Sequence, residues 1–338
     1  MSVSTQTSLA QYTTLGLGGP ARRLIEVHND GELISAIAAT DAAHEPLLVL
    51  AGGSNVVISD QGFPGTVVLI RSRGIQRMAS TSLHVAAGEN FDALVAYSIE
   101  HELSGLECLS GIPGSVGATP IQNVGAYGQE VSNIISSVRV YDRAEKHISE
   151  LTPRECEFSY RNSLFKNSAR YVVLSVRYAL TSSSYSSALR YGELTKILGA
   201  TENVPTRQVR EAVLKLRKGK GMVLDPHDAD TRSVGSFFTN PVLDPKKFAT
   251  LSGEIPHWDQ PDGTVKVPAA WLIEQSGFTK GYGFDGVAIS SKHTLALTNQ
   301  HQGSTSALLK LAREIREGVR AKFGVTLVNE PVLVGEQL

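Results

Sequence analysis

The chain has 338 residues, 41% of them hydrophobic, with a formal net charge of −1. That length suits two or three domains, and the apolar content feeds packed cores and excludes a disordered chain. The near-neutral total speaks against a protein that lives on nucleic acid or an anionic membrane surface. Cys108 and Cys156 alone build no disulfide framework or cysteine metal site, and no apolar run approaches the ~20 residues that span a bilayer. Residues 1–11 lack the basic-then-apolar order of a secretory signal, so the expectation is a soluble cytoplasmic protein with no metal, no nucleic-acid partner and no membrane.

In chain order, 21–27 reads as a strand. Asp30 caps a helix that carries Leu33, Ile34, Ile37 and Ala38 on one side. Residues 46–51 are a short apolar strand broken by Gly52-Gly53-Ser54-Asn55, and strand character resumes at 56–58 and 66–71. Residues 91–101 look helical, 105–128 is glycine-punctuated, and 138–141 and 171–180 are strands again. Residues 181–187 form a polar loop. Residues 206–220 make a basic helix with Val209, Val213 and Leu216 along its buried stripe, its charges forming a solvated face. Residues 268–277 begin with proline and end with glycine, as a short helix does. The clearest helix is 304–324: Leu308, Ala312, Ile315, Val319 and Phe323 recur at three- and four-residue steps before Gly324. A final strand pair, 325–327 and 332–334, flanks Asn329-Glu330-Pro331.

No Walker A loop, HExxH, GxSxG elbow or GxGxxG opening a βαβ unit is present. Glycine instead clusters in three places: 52–55, 111–118 and 122–128. Glycine lets a backbone approach a ligand and turns consecutive N–H groups inward, a nest that binds pyrophosphate without a cationic side chain. On the residues alone, a phosphate-bearing cofactor and a set of ordinary turns both remain open.

Longer blocks decide between them. The segment 46–56 around Gly52-Gly53-Ser54-Asn55 resembles the first FAD loop of the MurB reductases. Gly105-Leu106-Glu107, Ile112-Pro113-Gly114-Ser115-Val116-Gly117 and Pro120-Ile121-Gln122-Asn123-Val124-Gly125-Ala126-Tyr127-Gly128 are similar to the second. Phe158-Ser159-Tyr160-Arg161-Asn162-Ser163, Gly235-Ser236-Phe237-Phe238-Thr239-Asn240-Pro241, Trp271-Leu272-Ile273-Glu274-Gln275 and Leu327-Val328-Asn329-Glu330 resemble further signatures. The blocks stand in family order and cover nearly the whole chain.

The resemblance implies an α+β fold: a flavin-binding region of the vanillyl-alcohol-oxidase type and a C-terminal α/β substrate domain. It places FAD on Gly52, Gly53, Ser54, Asn55, Pro113, Gly114, Ser115, Gly117, Ala118, Ile121, Asn123, Gly125 and Tyr127. It implies that hydride passes from NADPH to FAD and on to the enolpyruvyl double bond of UDP-N-acetylglucosamine enolpyruvate, a step of cell-wall precursor synthesis. Charge then builds on the neighbouring carbon and spreads into the carboxylate. Arg161 suits that carboxylate by its permanent charge and fixed fork. Glu330, holding a proton, would hydrogen-bond the same group, and Ser236 would protonate the carbon. Tyr160, Lys220, Asn240 and Gln275 are the implied substrate contacts, and Tyr191, in the loop 189–194, is the implied lid. The expected division is 1–200 for the FAD region, in two parts near 1–65 and 66–200, then 201–325 for substrate. Residues 326–338 are expected to carry Glu330 back to the FAD region, in a monomer. One rival is an oxidase or dehydrogenase on the same flavin scaffold with another substrate; the other is a non-catalytic nucleotide-sugar binding module that has kept the fold.

Overall fold

A computed structural model describes residues 1–251 and 253–338. The chain divides into two compact units, Met1–Ser8, Pro20–Gly53 and Phe63–Val223 against Leu9–Gly19, Ser54–Gly62 and Leu224–Leu338. The first unit therefore runs to Val223, not to about residue 200. The reason is the helix Thr206–Gly219: its Val209, Ala212 and Val213 pack with Cys108, Leu189, Leu194 and Val204 of that unit. Two short early segments belong instead with the C-terminal unit, and the final strand Val332–Val334 pairs in parallel with one of them, Val56–Ile58.

The first unit holds a four-stranded sheet in the order Ser2–Ser8, Pro20–Val27, Phe63–Ile70, Leu47–Leu50. The last three strands are mutually parallel, as a strand–helix–strand crossover requires. The crossover helix is Asp30–Ala42, and it buries Leu33, Ala36 and Ile37. Its cap is Asn29 and not Asp30: Asn29 has the extended backbone of a cap (φ −152°), and its side chain accepts the Glu32 amide at 2.9 Å. Ser2–Ser8 is an edge strand whose polar, exposed sequence carries no strand signal. A five-stranded antiparallel sheet follows in the order His147–Leu151, Ile135–Asp142, Tyr171–Ala179, Ser82–Ala86, Ile75–Arg77. One core joins these sheets with the helix Phe91–Glu100, and Phe91, Leu94, Val95, Val138, Val140 and Tyr178 are fully buried in it. Within the polar stretch 181–187, Thr181–Ser182 pairs with Leu103–Ser104.

The second unit has a four-stranded antiparallel sheet in the order Ser233–Ser236, Ala296–Asn299, Val287–Ile289, Gly283–Phe284. The helices Ala269–Gln275 and Thr305–Phe323 share its core with Phe237 and Phe238. Leu308, Ala312, Ile315 and Val319 all have no exposed area, as the periodicity requires. Ser304 caps the long helix by accepting the Ala307 amide at 3.0 Å, Asp60 accepts the amides of Thr305 and Ser306, and Gly324 ends it at φ +61°. Residues 325–327 form no strand. Val325 and Leu327 are buried by packing, with no neighbouring strand laddered to them. Among the described residues no helix is long and apolar enough to cross a membrane.

Candidate functional site

The glycine loops of the first unit are in direct contact. A Cβ on Gly52 would lie 2.5 Å from the Gly114 Cα, and one on Gly117 would lie 2.6 Å from the Ala87 Cβ, so only glycine fits at either place. Gly53 and Gly114 have φ of +59° and +112°. The loop 111–118 is pinned at its start, where the Gly111 amide donates to Asp92 at 2.6 Å and Asp92 takes both arms of Arg210. Burial opposes the Asp92 charge, but the bonds from Arg210 and Gly111 outweigh it and hold the carboxyl below its usual range. The nest is narrower than the sequence suggests. The amides of Val116, Gly117 and Ala118 donate to Glu89, Ala87 and Ser115 carbonyls at 2.9, 2.8 and 3.1 Å, which among the described residues leaves the amides of Gly52, Gly53, Gly114 and Ser115 to face an anion. Ser115 Oγ is buried and meets no partner among the described residues. Such a hydroxyl costs about 1–3 kcal/mol unmatched, so a polar group seated at this loop removes a penalty. The residues present fit a cofactor phosphate.

The stretch 121–130 continues from that loop. Gly125–Ala126 and Gln129–Glu130 form a hairpin whose two-residue loop is Tyr127-Gly128, at φ +50° and +86°. Positive φ at both positions is what a tight hairpin turn of the required twist demands. The hairpin is anchored from beneath by Glu107, which is fully buried and accepts from Gln129 at 2.8 Å, Ser186 at 2.6 Å and the Gly105 amide at 2.7 Å. Ile121 is held by its carbonyl, which accepts the Ser163 hydroxyl at 2.7 Å.

Arg161 belongs to the same unit. Its Nη2 donates to the Gly125 carbonyl at 2.6 Å and its Nη1 to the Asn123 carbonyl at 3.4 Å. Its own carbonyl accepts from Lys166 at 3.0 Å, and its guanidinium lies 5.4 Å from the Tyr160 ring centre. Tyr191 meets Tyr127 edge-on, with ring centres 5.1 Å apart. The segment expected as a lid loop is in part a helix, Gly192–Leu198, with Tyr191 as its N-cap residue. Glu193 of that helix pairs with Lys220 at 2.6 Å. Burial weakens the Lys220 charge, but the Glu193 bond and the pull of Tyr127 and Tyr191 overcome it, so its pKa is raised. Burial also pushes the Tyr127 hydroxyl up. Lys220 is half-buried beside these groups while Lys218 is exposed, which distinguishes the two lysines.

In the second unit, Ser236 ends the strand Ser233–Ser236 and pairs with Ala296. Gly235 precedes it at φ +76°, a bulge-like break that only glycine enters freely. Phe237 joins the two candidate residues: its amide donates to Leu295 at 2.7 Å, and its carbonyl accepts the Glu330 amide at 2.9 Å. Phe238 bridges Asn329. Ser236, paired with Ala296, and Glu330, bonded to the Phe237 carbonyl, thus stand close along the backbone, both half-buried. Ser54 and Asn55 open the segment Ser54–Gly62 of this unit, and the Asn55 carbonyl accepts the Val332 amide at 3.0 Å. Asn240 holds the backbone together here, since its Oδ1 accepts the Ala269 amide at 2.9 Å at the start of the helix Ala269–Gln275. Gln275 is exposed at the end of the same helix.

The buried carboxylate Glu107 stands in the motif 105–107, which marks it without giving its role, and the Glu193–Lys220 pair has no sequence signal beyond the residue types; both depend on contacts between distant segments. Among the described residues no group of three or more His, Cys, Asp and Glu is placed to hold a metal.

Comparison with known proteins fits this geometry. The profile of an FAD binding domain matches residues 21–151, and that of a UDP-N-acetylenolpyruvoylglucosamine reductase C-terminal domain matches 225–334. A UDP-N-acetylenolpyruvoylglucosamine reductase of Thermobifida fusca is 51% identical, over 98% of this chain and 97% of its own length. That of Salinispora arenicola is 54% identical, over 96% and 94%. The crystal structure of the MurB reductase from Thermus caldophilus superimposes with a TM-score of 0.69 at 25% identity, covering 98% of each chain. With FAD as cofactor and NADPH as reductant, this chain belongs to the UDP-N-acetylenolpyruvoylglucosamine reductase family, oxidoreductases of peptidoglycan precursor synthesis.

Proposed function

We propose that Ser236, Arg161 and Glu330 carry the reduction of the enolpyruvyl group of a UDP-linked amino sugar. FAD, recharged by NADPH, supplies the hydride that the double bond receives. Arg161 steadies the substrate carboxylate as charge develops beside it. Its guanidinium is permanently charged and already oriented by two carbonyls, so little order remains to be gained when substrate arrives. Glu330 hydrogen-bonds the same carboxylate in its protonated form. Ser236 gives its proton to the carbon next to the carboxylate: an alcohol is a weak acid, but sufficient against a carbanion. Tyr160 and Tyr191 flank the substrate, Lys220 offers its charge to the diphosphate, and Asn240 and Gln275 supply polar contacts. Asn240 does so through the amide nitrogen, since its bond to Ala269 uses only the oxygen. The observation that supports this reading is the backbone around Phe237: its carbonyl accepts the Glu330 amide and its neighbour Ser236 pairs with Ala296, so Ser236 and Glu330 come close along the main chain. The setting is the cytoplasm, and the active species is the monomer.

The test is spectroscopic. Anaerobic NADPH should bleach the flavin band of the purified protein, and the enolpyruvyl substrate should restore it with formation of the saturated lactyl ether. Acid should release the flavin as FAD. Recovery of colour with oxygen but not with the enolpyruvyl substrate would favour the oxidase reading instead.

A further inference from the structure

Asn123 has 1% of its surface exposed and adopts φ +45°. Its motif places it among the cofactor contacts, yet its side-chain amide is engaged inside the protein. Nδ2 donates to the Glu130 carboxylate at 2.8 Å and to the Ser159 carbonyl at 3.2 Å, and Oδ1 accepts the Ser132 amide at 3.1 Å. An amide nitrogen has two hydrogens, and both are used.

Both donated bonds lead to Arg161. Ser159 stands two residues before it, and Ser159 and Asn162 exchange backbone bonds of 3.1 and 3.2 Å, so holding Ser159 holds the turn. Glu130 pairs across the hairpin with Gly125, whose carbonyl takes one arm of the guanidinium. The carbonyl of Asn123 itself faces the other arm. Asn123 therefore grips the Arg161 turn at its base and sets both acceptors at its head. Arg161 itself sits at φ +52°, a conformation its own side chain does not favour, so the surroundings must impose it.

We infer that Asn123 is a positioning residue of the reaction, acting through Arg161, and not a contact of the cofactor. The inference rests on the reading that Arg161 meets the substrate carboxylate. Its test is a double-mutant cycle on kcat with Asn123→Gly, Arg161→Lys and the pair. Glycine keeps the positive φ without strain and removes only the amide. Asn123→Gly should lower kcat by ~10–100-fold, the scale of a displaced catalytic group, with FAD content unchanged. In the Arg161→Lys background the same change should cost less than about 3-fold, because coupled residues are not additive. Loss of FAD from Asn123→Gly, an undiminished effect in the Arg161→Lys background, or a wild-type kcat would each overturn the inference. A wild-type rate in Arg161→Lys alone would bring down the Arg161 reading, and this one with it. Should Asn123→Gly fail to fold, Asn123→Asp serves the same cycle, since it tolerates positive φ and loses both donated hydrogens.

Discussion

Arg161 stands in a region where three non-glycine residues, Asn123, Tyr127 and Arg161, hold φ of +45°, +50° and +52°, with the Asn123 and Arg161 side chains tied to backbone carbonyls. Ser236 ends a paired strand, and Glu330 is fixed by a backbone bond to its neighbour Phe237. The first arrangement costs of order 1–2 kcal/mol for each left-handed residue and is offset by particular side chains. The second rests on main-chain bonds, and its left-handed position, Gly235 at φ +76°, is a glycine, which adopts it without that cost. The lesson concerns tolerance. A candidate side chain of the second unit should be removable with the scaffold intact, whereas the candidate Arg161 of the first is itself tied into the scaffold.

The largest effect expected from that contrast is at Ser236. Ser236→Ala should leave flavin reduction by NADPH nearly intact and slow the enolpyruvyl half-reaction by ~10²–10⁴-fold, the range of a lost general acid. Stopped-flow flavin absorbance separates the halves. Equal slowing of both would mean that Ser236 shapes the pocket, and the contrast between the two units would break. Ser236→Cys, with a donor of similar reach, should regain part of the rate.

Arg161→Lys comes next, at about 1.5–3 kcal/mol on the barrier, or roughly 10–150-fold, since a point charge cannot reproduce a fork held on two carbonyls. Wild-type turnover in this variant would show that the strained turn serves folding alone. Gly52→Ala should follow, at ~1–3 kcal/mol, because its methyl would meet the Gly114 backbone and the two loops would have to part. FAD retention on gel filtration measures it, and full occupancy would place the cofactor elsewhere.

Tyr191→Ala should weaken substrate binding by ~0.5–1.5 kcal/mol, the scale of one aromatic contact to the substrate, while NADPH oxidation changes little, as binding titration and flavin bleaching would report; unchanged affinity would count against a lid. The smallest effect is expected at the cysteines. Burial raises both thiols to about 12, and both side chains are shielded, so neither Cys108 nor Cys156 should react with a maleimide at about pH 8 in the native state. Rapid labelling of Cys108 would mean that its small core opens readily.

Most of the fold's local texture was legible in the sequence. The helix Thr305–Phe323 shows its buried stripe and terminal glycine directly, and the strands Pro20–Val27 and Tyr171–Ala179 read as strands. The edge strand Ser2–Ser8 did not, because a strand that buries almost nothing has no hydrophobic period to display. Residues 325–327 erred the other way: a buried apolar run looks like a strand whether or not a partner lies beside it.

The sequence by itself determined the family, the cofactor class and the candidate residues Ser236, Arg161 and Glu330, since motifs are local and survive as words in the chain. Only the tertiary structure decided where the units divide, which amides of the glycine nest are already committed, that Lys220 and not Lys218 faces Glu193, and that the Asn123 amide is engaged by the Arg161 turn. Each of those depends on a hydrogen bond or contact between segments far apart in the chain, and a one-dimensional pattern records residue types but not which distant groups satisfy them.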